Sequence, residues 1–350
     1  MKLGMRCALV VFLTTLAGWA CAQTTPKAAL VALSKQDHTL AIVDPASLQV
    51  LARIPVGDDP HEVAASADGK TAYVSNYGFG AFHTLTVIDL VGQKPAGVID
   101  LGALRGPHGL DFEAGKVWFT AEAAKAIGSY DPAMEKIDWI MGTGQNRTHM
   151  LYVFPGAKRI LTTNVSSATV TVLERTEGRA SGMPPGPPPG PGGPPPGPPP
   201  TPQGGDWLLT VIPVGQGAEG FDVSPDGKEA WVANARDGTI SVIDLTANKV
   251  TATLAVNVPG ANRLKFTPDG KQVLVTPGSA LVILDAATRK EVKRLPGVHG
   301  SGGIQMQPDG ARAYVACGRD GYVAVIDLKT LELVGKIDVA SPDGLAWAAR

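Results

Sequence analysis

A short, β-rich apolar segment that ends in an acidic residue recurs seven times along the 350-residue chain. The seven acids are Asp44, Asp89, Asp131, Glu174, Asp244, Asp285 and Asp327. Successive acids are separated by 45, 42, 43, 70, 41 and 42 residues, so a unit of about 42 residues is repeated and one copy carries an insertion. Self-similarity at this period is typical of repeat architectures such as solenoids and propellers.

Each copy of the repeat is predicted to contain four short strands. A second strand precedes the segment with the acid, as at residues 73–76, 231–234 and 314–317, and the turn before it contains Asp-Gly in four copies. Asp-Gly supplies the positive φ that a tight hairpin requires, and no helical periodicity separates the strands. Because a four-stranded unit cannot bury both faces alone, the copies are expected to pack face to face in a ring.

The two ends of the chain complete this ring. Residues 30–56 supply only three strands, while residues 341–347 align with the start of a repeat. We therefore predict an all-β fold, a seven-bladed β-propeller of four-stranded antiparallel blades, whose C-terminal strand completes the first blade and leaves no free sheet edge. The single predicted domain spans residues 23–350. Its predicted blades are residues 28–57 together with 342–350, 58–102, 103–144, 145–215, 216–257, 258–298 and 299–341.

The insertion lies at residues 176–205, between the third and fourth strands of the fourth blade. Residues 181–205 hold 13 of the 29 prolines, without the regular glycine spacing that a collagen helix requires. This composition predicts a disordered, extended and solvated segment. Two interpretations stay open: a tolerated loop insertion, or a segment that docks on a protein partner or spaces the domain from a surface.

The N-terminus has the layout of a secretory signal peptide. Lys2 and Arg6 precede a short apolar run at residues 8–16, and small residues then offer a cleavage site, so residues 1–22 are predicted to be removed on export. Lipid attachment at Cys21 is the disfavoured alternative. No later stretch has the roughly 20 apolar residues of a membrane helix. We expect a bacterial protein of the periplasm or the medium.

Charge and cysteine content exclude further classes. Lys and Arg number 31 against 32 Asp and Glu, a net charge of −1, so no polybasic nucleic-acid-binding surface is expected. Loss of the leader would leave Cys317 as the sole cysteine, too few for an internal disulfide. The core alone must then stabilise the domain, which we expect to be a monomer.

The histidines are concentrated at one predicted face of the ring. The first residues of the innermost strands align as His61, His108, His149, Glu219, Asn262, Gly302 and Asp343. The other three histidines fall in loops at the same face, namely His38, His83 and His299. An extended loop at residues 77–83 adds Tyr77 and two phenylalanines, which either grip a ligand or pack on the rim.

Two interpretations of this face stay open. Short polar residues can cap a channel mouth by bonding to neighbouring backbone, or they can form a metal or ligand site. Because packed sheets stand about 10 Å apart, a pair of histidines with an acid converges more easily than three histidines. The predicted metal ligands are His108, His149 and Glu122, for a divalent cation. The predicted ligand-binding residues are His61, His108, His149, Glu219, Asn262, Asp343, His83 and Tyr77.

The repeat resembles the YVTN β-propeller family. The resemblance rests on residues 73–76 (YVSN) and 87–89 (VID), and on the equivalent runs at 231–244 and 314–327. It implies an exported seven-bladed propeller. One blade, with Gly-Pro-His-Gly at 106–109, also resembles a blade of streptogramin (virginiamycin B) lyase, which implies a magnesium ion and a histidine base that open a lactone ester by elimination.

Two functions are therefore expected for the histidine-rich face. The first is a binding or scaffold module for a small ligand or a cell-envelope protein. The alternative is a metal-dependent lyase or lactonase that works at the same channel mouth. A third role, as an interaction platform, would use the proline-rich insertion instead.

Overall fold

The computed structural model describes residues 24–176 and 206–350, and it confirms the seven-bladed propeller. The strands, in chain order, are β1 (Ala28–Ser34), β2 (Thr39–Val43), β3 (Val50–Pro55), β4 (Pro60–Ala65), β5 (Thr71–Asn76), β6 (Thr84–Asp89), β7 (Lys94–Asp100), β8 (Pro107–Glu113), β9 (Lys116–Ala121), β10 (Ala126–Asp131), β11 (Lys136–Gly142), β12 (Thr148–Val153), β13 (Arg159–Asn164), β14 (Thr169–Arg175), β15 (Trp207–Pro213), β16 (Ala218–Val223), β17 (Glu229–Asn234), β18 (Thr239–Asp244), β19 (Lys249–Leu254), β20 (Arg263–Phe266), β21 (Gln272–Thr276), β22 (Leu281–Asp285), β23 (Lys290–Leu295), β24 (Ile304–Met306), β25 (Arg312–Cys317), β26 (Tyr322–Asp327), β27 (Glu332–Asp338) and β28 (Pro342–Ala349). A single 3₁₀ turn at Gly78–Gly80 is the one helical element among the described residues.

The ring closes as predicted. The first blade has the strand order β28-β1-β2-β3, and the other six blades each use four consecutive strands. β28 runs antiparallel to β1, with Leu30 opposite Trp347 and Ala28 opposite Ala349. The two ends of the domain are therefore held together by one backbone ladder.

The recurring acid forms the turn between the third and fourth strands. Asp89 accepts hydrogen bonds from the backbone N–H groups of Val91 at 3.0 Å and Gly92 at 2.8 Å. Asp244 accepts equivalent bonds from the backbone two and three residues further on. Because Asp side chains stabilise such turns locally, the acid recurs in six of the seven blades for a structural reason. In the fourth blade Glu174 instead lies 3.3 Å from Nε of Arg159.

A buried asparagine joins the second and third strands in several blades. Asn76 donates through Nδ2 to Thr84 at 2.9 Å and to Thr86 at 3.1 Å, and Asn164 and Asn234 make the same pair of bonds in their blades. These bonds satisfy polar side chains that burial would otherwise leave unpaired.

Cys317 occupies this position in the last blade. Burial raises the pKa of its thiol to about 11, so it packs as a small apolar side chain. The other two cysteines, the predicted leader and the proline-rich insertion lie outside the described residues.

The core consists of the interfaces between neighbouring blades. Buried apolar side chains form clusters that each combine residues of two adjacent blades. Trp231 of the fifth blade, for example, contacts Phe266 of the sixth with 5.5 Å between ring centroids. Innermost strands of all seven blades line the central channel. No helix in the described part of the chain has the length and hydropathy of a membrane span.

Removal of residues 342–350 should abolish cooperative folding, because β1 loses its inner partner and the ring gains two open edges. We expect the loss to exceed several kcal/mol, a large share of the ~5–15 kcal/mol that holds a typical domain. Thermal unfolding followed by circular dichroism measures it.

The control replaces residues 177–205 by a short Gly-Ser turn. β14 pairs directly with β15, and Thr176 donates to the carbonyl of Asp206 at 2.8 Å, so the melting temperature should stay within a few degrees of the full chain. A truncated chain that melts like the full chain would refute the closure role of β28.

Candidate functional site

A cavity of about 470 Å³ opens at the end of the channel where the innermost strands begin. We call it the mouth cavity. Of the residues predicted from the sequence, those that line it are His61, His108, His149, Glu219, Asn262, Asp343 and Tyr77. Phe79, one of the two phenylalanines of the extended loop, also lines it. The cavity is further lined by residues that the sequence did not single out, namely Lys35, Arg147, Arg263 and Ser301.

The three imidazoles of the mouth cavity converge. The ring centroids of His61 and His108 are 4.3 Å apart, and those of His108 and His149 are 3.8 Å apart. Three histidines were expected to converge less easily than a pair with an acid, and all three meet here because the innermost strands approach each other more closely than the centres of packed sheets. Gly109 shows why: a Cβ at this position would lie 2.7 Å from the carbonyl oxygen of His149.

A hydroxyl relay fixes the backbone of these residues. The innermost strand bulges away from its neighbour after its first residue, and a Ser or Thr of the second strand fills the gap. Thr120 accepts a bond from the N–H of Gly109 at 2.9 Å and donates to the carbonyl of His149, in the next blade, at 2.6 Å. Ser75 and Thr163 act in the same way in their blades.

His149 lies between two carboxylates. Its Nδ1 is 2.5 Å from Oε1 of Glu122, and its Nε2 is 2.7 Å from Oε2 of Glu219. The oxygen of Glu219 lies off the N–H axis of Nε2, so this second contact is an ion pair without an aligned hydrogen bond. Burial opposes a charge on His149, but the two carboxylates outweigh it and raise the pKa of the imidazole. Burial likewise opposes the charge on Glu219, yet His149 and Arg147 lower its pKa to about 2.

Glu122 is itself held by two further groups. The hydroxyl of Tyr77 donates to its Oε2 at 2.5 Å, and Nε of Arg147 lies 3.6 Å from the same oxygen. Burial, and then the bond to Glu122, raises the pKa of Tyr77, so its hydroxyl stays a donor. Glu122 follows β9 directly and is buried, so it lies next to His108 of its own blade and His149 of the following blade.

His108 is neutral and lacks one partner. It is 1% exposed, and burial together with the neighbouring His149 holds its pKa well below the usual value. Its Nδ1 has no hydrogen-bond partner within the described residues. One ligand atom each from His108, Glu122 and His149 lie within 4.8 Å of one another. These are the three residues that the sequence analysis predicted as metal ligands.

Lys35 organises the opposite wall of the mouth cavity. Its Nζ donates to Nδ1 of His61 at 2.6 Å and lies 3.0 Å from Asp59 and 3.3 Å from Asp343. An accepting Nδ1 places the ring proton of His61 on Nε2. The sequence signal for Lys35 was weak, because a lysine directly after a strand is ordinarily solvated.

A cross-channel ion pair forms the floor of the cavity. Arg263 of β20 contacts Glu62 of β4, although the two strands belong to the sixth and second blades. Both side chains are buried, and Arg263 also lines a second cavity of about 320 Å³ inside the channel. The pair therefore separates the mouth cavity from the rest of the channel.

The remaining three histidines lie outside the mouth cavity. His83 was a predicted ligand-binding residue, but its Nε2 lies 3.9 Å from Asp100 in an exposed loop. His38 lies 3.0 Å from Asp58, and His299 lies 2.8 Å from Asp320. Each of the three is near an aspartate of its own rim loop.

No family model and no curated protein sequence matches the chain. Many solved structures share its fold. A functionally unknown protein from Desulfotomaculum acetoxidans aligns with a TM-score of 0.71 at 15% identity, over 92% of this chain and 99% of that one. The periplasmic gluconolactonase PpgL of Pseudomonas aeruginosa aligns with a TM-score of 0.68 at 16% identity, over 92% of this chain and 99% of that one. A suggested 6-phosphogluconolactonase of Bacteroides fragilis aligns with a TM-score of 0.69 at 15% identity, over 93% of this chain and 99% of that one.

These comparisons define the class: an all-β, seven-bladed propeller of the architecture that these proteins share. At such identities the similarity concerns the fold. The YVTN and streptogramin-lyase resemblances have no direct match and stay expectations.

Substitution of Thr120 by Val should destabilise the propeller by about 2–4 kcal/mol, because it leaves the N–H of Gly109 and one bond of the His149 carbonyl unpaired in a buried site. Urea denaturation measures the change in free energy. Thr120→Ser is the matched control: it keeps the hydroxyl and should lose less than half as much. Equal losses in the two variants would show that the hydroxyl relay contributes nothing.

Proposed function

We propose that the chain is an exported hydrolase that opens a small lactone in the mouth cavity, with a divalent cation held by His108, Glu122 and His149. The observation that carries this proposal is the buried donor cluster, in which one ligand atom from each residue lies within 4.8 Å of the others. In addition, Nδ1 of His108 is buried without a hydrogen-bond partner within the described residues. A buried polar atom without a partner is unfavourable by about 1–3 kcal/mol. A cation bound through this nitrogen would remove the penalty.

The surroundings of the cluster fit a metal site. Ligating histidines commonly donate their second N–H to a carboxylate, and ligating carboxylates are hydrogen-bonded in turn. Nε2 of His149 faces Glu219, and the second oxygen of Glu122 accepts from Tyr77. Two imidazoles with one carboxylate suit Zn²⁺ or a similar transition metal. Magnesium, which the lyase resemblance implies, prefers oxygen ligands.

The bound cation and Glu219 would have different roles in hydrolysis. A cation of this kind, when bound, polarises a carbonyl and lowers the pKa of coordinated water. Glu219 stays ionised and reaches the cavity, so it can orient a water molecule and accept its proton. The water oxygen bonds to the lactone carbonyl carbon, the ring C–O bond breaks, and the ring oxygen takes up a proton. The product is an open-chain hydroxy acid.

The choice of a lactone over a lyase substrate rests on the structural neighbours. Two of them are named for lactone hydrolysis, one as a gluconolactonase and one as a suggested 6-phosphogluconolactonase. A cavity of about 470 Å³ has room for a single sugar-sized ring. D-Glucono-1,5-lactone is therefore the first substrate to test.

The proposed location follows from the sequence. Residues 1–22 lie outside the described residues, and their pattern of charge, apolar run and small residues supports export. An exported hydrolase would meet lactones in the periplasm or the medium.

Mature protein purified without an affinity tag should contain about one equivalent of a transition metal. The double substitution His108→Ala with His149→Ala should reduce this below about a tenth, since it removes two of the three donors. Elemental analysis by mass spectrometry measures the content. His299→Ala is the control, because His299 lies on a rim loop beside Asp320 and should leave the content unchanged. Metal-free wild type, also after incubation with Zn²⁺, would disprove the site.

Glu219→Gln should lower kcat/KM for D-glucono-1,5-lactone by about 10²–10⁴, because the amide cannot accept the proton of the attacking water. Base uptake in a pH-stat, corrected for spontaneous hydrolysis, gives the rate. Glu291→Gln, on the exposed strand β23, should behave like wild type. Wild type that hydrolyses no lactone above background would leave the mouth cavity as a binding module without turnover.

A further inference from the structure

Phe79 is the most exposed large apolar residue in the described part of the chain. Its side chain is 90% exposed, yet it lines the mouth cavity, and its ring lies 6.2 Å from that of Tyr77. Tyr77 in turn contacts His61 at 4.9 Å and His108 at 5.0 Å between ring centroids. An aromatic wall thus leads from solvent to the buried donors.

The backbone holds Phe79 in this position against its own preference. Its φ of 51° and ψ of 38° are left-handed values that a bulky residue rarely adopts. The 3₁₀ turn is closed by a bond from Ala81 to Gly78 at 2.9 Å. A Cβ on Gly78 would lie 2.5 Å from the ring of Phe82, so that ring packs under the turn. Fifteen other non-glycine residues of the described chain have similar positive φ values, so the φ of Phe79 marks a tight turn, and its bearing on the cavity comes from the exposure and position of its ring.

Carboxylates outnumber the lysine and arginine side chains at the mouth cavity. Each of its cations has carboxylate partners: Lys35 has Asp59 and Asp343, Arg147 has Glu122 and Glu219, and Arg263 has Glu62. No lysine or arginine lining this cavity is left to neutralise a phosphate group. Even with a divalent cation bound, which only offsets the excess of carboxylates, a doubly charged ligand would have to break one of these pairs, several of which are partly or fully buried.

We propose that the ligand of the mouth cavity is a non-phosphorylated sugar ring, and that Phe79 stacks on its C–H face. A sugar ring offers C–H groups on one face and hydroxyl groups at its edge. Phe79 would cover the face, while Glu219, Asp343 and Asn262 would bind the hydroxyls. This inference rests on the proposed function, because it names the substrate class of the same site.

The first test compares Phe79→Ala, Phe79→Leu and Phe79→Trp. Stacking on an aromatic ring corresponds to roughly 2–12-fold in affinity. For D-glucono-1,5-lactone the KM should therefore rise about 5–10-fold in Phe79→Ala, with kcat within twofold of wild type. Phe79→Leu keeps the apolar volume without the ring and should show most of the defect, while Phe79→Trp should show none. Melting temperatures should not change, because Phe79 buries little surface. An unchanged KM in Phe79→Ala would overturn the role of Phe79.

The second test concerns the phosphate. The 6-phosphorylated lactone should react with a kcat/KM at least tenfold below that of D-glucono-1,5-lactone, and 10 mM inorganic phosphate should not inhibit. Equal or faster use of the phosphorylated lactone would overturn the assignment of a neutral ring.

A binding measurement separates this inference from the proposed function. Methyl β-D-glucopyranoside has the same ring but no ester, so calorimetric titration reports binding without hydrolysis. Binding that Phe79→Ala weakens about 5–10-fold supports the inference even if no lactone is hydrolysed. Lactone hydrolysis together with equal affinity of wild type and Phe79→Ala for the glucoside would support the hydrolase and overturn the stacking role.

Discussion

The mouth of this propeller depends on the hydroxyl relay between its innermost strands. Where the innermost strands of the second, third and fourth blades leave their ladders, a second-strand Ser or Thr accepts the freed N–H and donates to the carbonyl of the next blade. Those carbonyls belong to His108, His149 and Glu219. The same bonds that replace a lost backbone ladder therefore also set the positions of the candidate site residues.

Glycine next to these residues sets how closely the strands approach. Gly109, Gly220 and Gly344 each touch the backbone of the following blade at distances that a Cβ would not permit. The narrow axis brings imidazoles and carboxylates of three blades into one buried cluster. In such surroundings each charge requires a partner, and the contacts of His149, Glu122 and Arg263 meet that requirement.

The repeat pattern was sufficient to predict the fold because its recurring residues make hydrogen bonds within a single blade. The recurring acids cap turns, the asparagines bridge strands, and the Asp-Gly pairs form hairpins, all within one blade. Alignment of the repeats also placed the candidate site residues at one level of the ring. It did not find Lys35, Arg147 or Arg263. Lys35 and Arg147 lie in loops, where a charged residue is ordinarily solvated, and Arg263 lies on the innermost strand β20. Each becomes part of the site through residues of other blades.

What the sequence by itself determined is the number of blades, their closure by the C-terminal strand, and the column of polar residues at the channel mouth. Each of these follows from periodicity along the chain. Only the tertiary structure decided that three histidines meet, that His149 lies between two carboxylates, and that Arg263 crosses the channel to Glu62. These contacts join residues 27 to 201 positions apart, and their distances depend on how steeply the ring narrows toward its axis, which no local pattern encodes.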